Sequence, residues 1–161
     1  MALPKSIANP GGLYGLTADT DDQEVIEIVN NTAGTLLPGD LVMFTTDLTG
    51  INAVTTAVAN DFTVLGVVMP TDRSLRTVLT TDTYAAGAVM PVCVRGHARI
   101  NIGANTIAAG DRLTSSGTAK IAQTNTATTV LTAVGSLIGI ALEADSAKDA
   151  RNTIRAYIQK M

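Results

Sequence analysis

The chain has 161 residues, a formal net charge of −3 and a pI near 4.9, and this length is enough for one domain with a buried core. The acidic balance argues against a nucleic-acid-binding protein, and no cluster of Lys and Arg is present to hold a membrane surface. Charged residues make up 16% of the chain and aromatic residues 3%, with no Trp. The abundant Thr and Val suit strands, and Gly, Asn and Asp suit turns, so the composition predicts an all-β fold.

The first 22 residues are predicted to form an extended N-terminal arm. Prolines and glycines such as Pro4, Pro10 and Gly15 break any periodic pattern, and Asp19 to Asp22 end the segment with charge. A frayed terminus would also fit this pattern. A disordered tail does not need large apolar side chains, however, so we expect the arm to dock on a partner. The expected docking residues are the scattered apolar ones: Leu3, Ile7, Leu13, Tyr14 and Leu16.

Residues 23–161 are predicted to form a single β-rich domain, a compact barrel or sandwich of short hairpins with little helix. The segments Val54–Ala59 and Leu75–Thr80 fit either a strand or irregular chain, and Val130–Ala144 fits one or two strands. Arg95-Gly96-His97 is predicted to reverse the chain in a tight turn. The other predicted strands are short β-branched apolar runs bounded by turn residues: Glu24–Asn30, Leu41–Thr46, Phe62–Met69, Val89–Val94 and Ala98–Ile102.

A combination of turn and strand occurs twice in this domain. A Gly-Asp turn precedes a strand at Gly39-Asp40 and again at Gly110-Asp111, and a weaker form occurs at Ala85-Ala86-Gly87. Gly66 follows 27 residues after Gly39, and Gly139 follows 29 residues after Gly110, each inside an apolar strand. The similar spacing predicts a weak internal duplication of residues 39–69 and 110–142. Two copies are too few for a solenoid.

Two patterns compete at the C-terminus. Ser146 and Asp149 have the spacing of a capping box, and apolar residues recur after them at helical intervals. The segment Thr153–Ile158 also alternates in the manner of a strand and is rich in strand-forming residues. We predict a short helical turn at Ser146–Ala150, followed by a closing strand.

The sequence offers little material for catalysis or for binding a metal. Cys93 and His97 are the only residues of their types, so Cys clusters and sites built on two histidines are excluded. Cys93 is predicted to be a small buried hydrophobic residue, and His97 an exposed turn residue on a different strand from Cys93. Asp40 and Asp111 are explained by turn capping. We expect no enzymatic activity, no cofactor and no metal.

The aspartates at the end of the arm do not form a calcium-binding loop. Asp19, Asp21 and Asp22 lack the spaced glycine and the terminal Glu of an EF-hand. The N-terminal residues lack the apolar run of a secretory signal, and the longest apolar stretch, Ala133 to Ala144, is too short to span a bilayer. We therefore expect a soluble protein made in a cytoplasm.

The turn and strand motifs follow one another in the order Gly39-Asp40, Leu65-Gly66-Val67-Val68, Ala86-Gly87, Val92 to Gly96, Ala109 to Leu113 and Ile138 to Ala144. This order resembles that of the small capsid cement (decoration) proteins of tailed bacteriophages. The resemblance covers roughly Val25 to Ile158. It implies a β-rich domain on the outer surface of a phage head, a homotrimer, and the major capsid protein as partner.

A second hypothesis is a small β-clip module that binds a carbohydrate or another ligand. The stretch Ile107 to Leu113 also resembles the first turn of SAF-type domains, which bind sugars or acidic ligands. Such sites usually stack a sugar on an exposed aromatic ring. The scarcity of aromatic residues in this chain favours the structural hypothesis. The aromatic residues are Tyr14, Phe44, Phe62, Tyr84 and Tyr157.

Overall fold

A computed structural model describes residues 23–44, 53–56, 63–73, 82–116, 120–126, 136–145 and 152–159. All regular elements within these ranges are β-strands, which confirms the prediction of an all-β fold. The arm at Met1–Asp22, the helical turn predicted at Ser146–Ala150 and the ambiguous segment Leu75–Thr80 lie outside the described residues.

The strands belong to one hydrogen-bonded sheet with the order β1-β3-β2-β4-β5-β9-β8-β6-β7. Strand β1 also pairs with β5, so the first five strands in this order close into a small barrel, and the last four extend from β5 as a second sheet. The strands are β1 (Glu24–Asn30), β2 (Leu41–Phe44), β3 (Ala53–Thr56), β4 (Val64–Val68), β5 (Val89–Asn101), β6 (Arg112–Ser115), β7 (Ala122–Thr124), β8 (Gly139–Ala141) and β9 (Thr153–Gln159).

Strand β5 belongs to both the barrel and the second sheet. Its first half pairs antiparallel with β1, and its second half pairs antiparallel with β9 from Arg95 to Asn101. The predicted chain reversal at Arg95-Gly96-His97 is therefore wrong. Gly96 instead has φ +102° inside a continuous strand, a conformation that glycine adopts readily.

A β-bulge in the middle of β5 changes which side chains face the larger core. The partners of Glu24 and Val25 on β5 are Arg95 and Cys93, so β5 contains one extra residue there. Cys93 packs in the same apolar cluster as Ala98 and Ile100. Along β5, the residues that face this cluster therefore have odd numbers before the bulge and even numbers after it. In this way β5 contributes to both the barrel and the second sheet.

The core consists of two apolar clusters. One fills the barrel: Ile28, Leu36, Val42, Val68, Tyr84, Met90 and Val92. The other lies between the barrel and the second sheet: Leu41, Val64, Val67, Met69, Cys93, Ala98, Ile100, Ile102, Ile107, Leu113, Ala122, Ile138, Ala141, Ile154, Ala156 and Ile158.

The turn at Gly39 comes just before β2 and is hydrogen-bonded to the end of β4. The Gly39 N–H donates to the Val68 carbonyl at 2.8 Å, and the Val68 N–H donates back to the Asp40 carbonyl at 2.9 Å. The Asp40 N–H donates to the Leu37 carbonyl at 3.1 Å. With φ +94° at Gly39, this is the pattern of a type II turn.

The turn at Gly110 has the same hydrogen bonds. The Gly110 N–H donates to the Ala141 carbonyl at 2.8 Å, the Ala141 N–H donates to the Asp111 carbonyl at 2.9 Å, and the Asp111 N–H donates to the Ala108 carbonyl at 3.1 Å. In both turns the Asp carboxylate accepts the N–H three residues earlier, at 3.0 Å for Asp40 and 2.9 Å for Asp111. The capping role predicted for both aspartates is confirmed.

The weaker form of the motif forms a third equivalent turn. The Gly87 N–H donates to the Asn30 carbonyl at 2.7 Å, the Asn30 N–H donates to the Ala88 carbonyl at 2.8 Å, and the Ala88 N–H donates to the Ala85 carbonyl at 3.0 Å. The bonding pattern therefore recurs at each of the three Gly turns that the sequence singled out.

Candidate docking surface

Four side chains form a row across the face of the second sheet that points away from the core. His97 on β5 lies opposite Tyr157 on β9, Tyr157 lies opposite Ile140 on β8, and Ile140 lies opposite Arg112 on β6. Paired residues of antiparallel strands project from the same face of a sheet. We call this row, together with Leu142 and Arg155, the outer face.

The outer face is partly apolar and partly aromatic. Ile140 is 38% exposed and Leu142 44% exposed. The rings of His97 and Tyr157 meet edge to face, with centroids 5.3 Å apart and an interplanar angle of 77°. His97 is thus half-buried in the middle of a strand, and the prediction of an exposed turn residue is wrong because the chain does not reverse at Gly96.

Positive charge accompanies this apolar surface. Arg99 is only 6% exposed, and its Nη2 donates to Glu143 Oε1 at 2.8 Å and to the Thr153 carbonyl at 2.8 Å. Glu143 thus neutralises Arg99, while Arg112 is exposed and Arg155 half-buried. The outer face presents cations beside apolar side chains.

Arg99 and Asn101 alternate with the core residues of the predicted strand Ala98–Ile102, yet both are buried. Asn101 is 5% exposed, and its side-chain amide donates to Asp40 Oδ1 at 3.4 Å. Strand alternation places both residues on the face opposite the core, but tertiary contacts cover them there.

The described chain begins beside this face. The Gln23 side-chain amide donates to the His97 carbonyl at 2.8 Å, and Glu24 lies opposite Arg95. The arm therefore joins the fold next to His97. The predicted docking residues themselves lie outside the described residues: Leu3, Ile7, Leu13, Tyr14 and Leu16.

Cys93 is a buried member of the core, as predicted. Burial raises the pKa of its thiol to about 12, so the reactive thiolate is strongly disfavoured. Cys93 and His97 lie on the same strand, contrary to the sequence prediction. They do not form a nucleophile pair, because Cys93 faces the core and His97 belongs to the outer face.

Two further features, a cluster of metal-binding side chains and a membrane-spanning helix, are absent from the part of the chain that the structure describes. No group of three or more His, Cys, Asp or Glu side chains is arranged to hold a metal ion there. Across the same ranges, no helix has the length and hydropathy needed to cross a membrane. Asp19, Asp21 and Asp22 lie outside these ranges.

The aromatic side chains that the structure describes are those of Tyr84 and Tyr157. Tyr84 is buried in the barrel, and its hydroxyl donates to the Met69 carbonyl at 2.8 Å. Burial raises the pKa of this hydroxyl. Tyr157 is half-buried against His97, so neither ring stands alone as a platform for a sugar.

The outer face was not predicted from the sequence. Ile140 and Leu142 alternate with Gly139 and Ala141, and this alternation was the available signal. The alignment of Ile140 with Tyr157 and His97 depends on the register of strands that are distant in the sequence.

No family model matches this chain, and no curated protein matches it. Its fold is similar to a solved structure, the N base of the head fiber protein gp8.5 of bacteriophage phi29, with a TM-score of 0.50 and 13% sequence identity. The likeness covers 85% of this chain and 96% of that one. At this identity the likeness establishes a shared β-rich architecture.

Proposed function

We propose that this protein is a structural protein that binds the outer surface of a bacteriophage capsid and holds major capsid subunits together as a homotrimer. The observation that carries the proposal is the likeness of its fold to the base of a phage head fiber over 96% of that domain. The order of the turn and strand motifs, which resembles the capsid cement proteins, supports the same function.

The chemistry of the described residues suits a function that depends on shape and interface. The single thiol, Cys93, is buried with a raised pKa, and His97 is packed against Tyr157. We therefore propose that the protein is not an enzyme and needs no cofactor. Its β-strands, held together by two apolar clusters, would instead present contact surfaces of defined shape.

In this proposal the arm supplies part of the contact with the capsid or with a neighbouring subunit. Each fully buried Leu, Ile or Tyr of the arm would contribute about 1.5–3 kcal/mol before the ordering cost is subtracted. Three arms in one trimer would reinforce one another through avidity. The proposed contact residues are Leu3, Ile7, Leu13, Tyr14 and Leu16.

The test is co-sedimentation of the purified protein with phage heads that lack it, combined with light scattering. We expect saturable binding to the heads and a solution mass three times that of the 16.6 kDa chain. A variant lacking residues 2–20 should bind much more weakly while keeping a cooperative melting transition. Absence of binding by the full chain at high micromolar concentration would refute the capsid function, and a monomeric mass would refute the trimer.

A further inference from the structure

The path of the arm away from the fold is restricted by two contacts on one edge of β5. The Gln23 amide donates to the His97 carbonyl, and the Asn101 N–H donates to the Gly39 carbonyl at 2.8 Å. Residues an even number of positions apart in a strand direct their main-chain groups to the same edge. Gln23 and the Gly39 turn therefore occupy the edge of β5 that faces away from β9.

The direction of β1 fixes where a straight continuation of this strand before Gln23 would run. Because β1 runs antiparallel to β5, the residues before Gln23 would continue from His97 towards Asn101. Only four residues, about 13 Å of extended chain, separate these positions. Ile140 of the outer face lies beyond β9, on the side of β5 opposite to Gln23.

The outer face and the arm are complementary in chemistry. The arm combines apolar residues with Asp19, Asp21 and Asp22, and residues 13–22 contain no Lys or Arg. The outer face combines the exposed apolar residues Ile140 and Leu142 with arginines. A 22-residue arm can extend about 70 Å, which is far enough to reach an adjacent molecule.

We propose that the outer face of one subunit is the docking site for residues 13–22 of a neighbouring copy of this chain. Leu13, Tyr14 and Leu16 pack on Ile140 and Leu142, and the aspartates face Arg112 and Arg155. Such a contact is head-to-tail, and it closes into a ring when each subunit gives one arm and receives one. The inference rests on the oligomeric part of the proposed function and names the surfaces that form the oligomer.

The test is disulfide cross-linking in a Cys93→Ala background. One tagged chain carries Leu16→Cys, the other carries Ile140→Cys, and the two are expressed together and oxidised. We expect a mixed disulfide dimer between the differently tagged chains on a non-reducing gel. Val89 is the matched control, because it is apolar and 58% exposed but lies at the opposite end of β5. Val89→Cys should give at least tenfold less mixed dimer with Leu16→Cys.

A chain that carries both Leu16→Cys and Ile140→Cys separates the possible outcomes. A disulfide confined to the monomer would show that each arm covers its own subunit, and this would overturn the proposal. Equal cross-linking at positions 89 and 140, or no cross-linking at either, would also overturn it.

A second measurement uses side-chain charge without new cysteines. Ile140→Asp with Leu142→Asp should weaken self-association at least tenfold by light scattering, whereas Val89→Asp should not. Unchanged association of the folded double variant would contradict the proposal. Neither measurement uses phage heads. Arm exchange between subunits without binding to heads would support this docking site and refute the capsid function. Binding to heads without arm exchange would support the capsid function and refute this docking site.

Discussion

The turns at Gly39 and Gly110 have the same main-chain hydrogen bonds in different surroundings. Asp40 is buried, and its carboxylate faces the Asn101 amide and the Lys120 ammonium, whose Nζ lies 3.9 Å from Oδ2. Asp111 is half-buried and accepts a hydrogen bond from the Thr124 hydroxyl at 3.0 Å. The first turn is a junction between the two layers, and the second lies at the surface.

Lys120 shows how the second copy of the motif supports the first. It precedes β7 in the second sheet, yet its Nζ donates to the Thr35 carbonyl at 2.9 Å and its own carbonyl accepts the Leu41 N–H at 3.2 Å. The main-chain hydrogen bonds of the turn are thus the same at a buried and at a more exposed position, and we expect the stabilisation by each Asp side chain to increase with its burial. Substitutions at matched positions measure this difference.

The largest loss of stability is expected for alanine substitutions at Gly66 and Gly139, the two strand glycines, which are equally crowded. A Cβ on Gly66 would lie 2.2 Å from the Cys93 carbonyl oxygen, and a Cβ on Gly139 would lie 2.2 Å from the Tyr157 carbonyl oxygen. Because main chain cannot move aside as a flexible side chain can, each Gly→Ala variant should lose about 3 kcal/mol or more of unfolding free energy. Urea titration followed by circular dichroism measures both. A near-neutral result at either glycine would show that the strands can separate locally.

The two aspartates should differ clearly. Asp40→Ala removes a buried carboxylate and leaves the Asn101 amide and the Leu37 N–H without this acceptor, so we expect a loss of about 2–3 kcal/mol. Asp111→Ala removes a more exposed cap and should cost about 1 kcal/mol. The same urea titration serves both variants. Equal losses would mean that burial does not separate the two turns.

Alanine substitutions at the turn glycines, Gly39 and Gly110, should differ less in their cost to stability than the two aspartate substitutions do. Gly39 has φ +94° and Gly110 has φ +90°, so alanine is strained at both, by about 1 kcal/mol. A Cβ at Gly39 would also lie 3.3 Å from the Asn101 nitrogen and the Thr153 methyl group, whereas Gly110 is surrounded by open space. We expect Gly39→Ala to cost about 1 kcal/mol more than Gly110→Ala. A thermal melt of each variant tests this, and the reverse order would contradict it.

The smallest expected change in stability comes from Cys93, because the equivalent position in the second copy is occupied by Tyr157. Cys93 lies opposite Val67, and Tyr157 lies opposite Ile140, the residue next to the equivalent glycine. The Cys93 pKa is raised from 9.0 to about 12, so above pH 9 the unfolded chain loses this proton before the folded chain does. Stability should therefore fall between pH 9 and 12, by about 1 kcal/mol at pH 10.

Cys93→Ala is the control for this loss. The difference in unfolding free energy between the original chain and the variant should be constant below pH 9 and should change above it. A difference that is flat up to pH 11 would show that the thiol ionises freely in the folded protein.

Local signals in the sequence identified most of the strands that the structure describes. Glu24–Asn30 and Thr153–Gln159 are alternating β-branched segments, and both form strands. The Gly-Asp turns were also predictable, because the hydrogen bonds by which Asp40 and Asp111 cap them span only four residues. Gly96 was misread because glycine is typical of turns and of bulges alike.

The candidate surface could not be predicted in the same way. The row from His97 to Arg112 depends on pairing between β5, β9, β8 and β6, and sequence pattern does not fix such distant register. Arg99 is polar and, by strand alternation, lies on the side of the sheet that faces away from the core, yet contacts with Thr153 and Glu143 bury it. The arm was singled out by its composition, and the structure adds the position at which it joins the fold.

The antiparallel pairing of β1 with β5 determines how the fold would resist a mechanical load on its arm. Six residue pairs join the two strands, from Glu24 opposite Arg95 to Val29 opposite Val89. A force on Gln23 along the axis of β1 would load these pairs together in shear, whereas a force perpendicular to the sheet would open them one at a time. Because β5 continues into the second sheet, a shearing force reaches both apolar clusters through one covalent strand. The arm would therefore hold best when it is pulled along β1 and would detach most easily when it is lifted from the sheet.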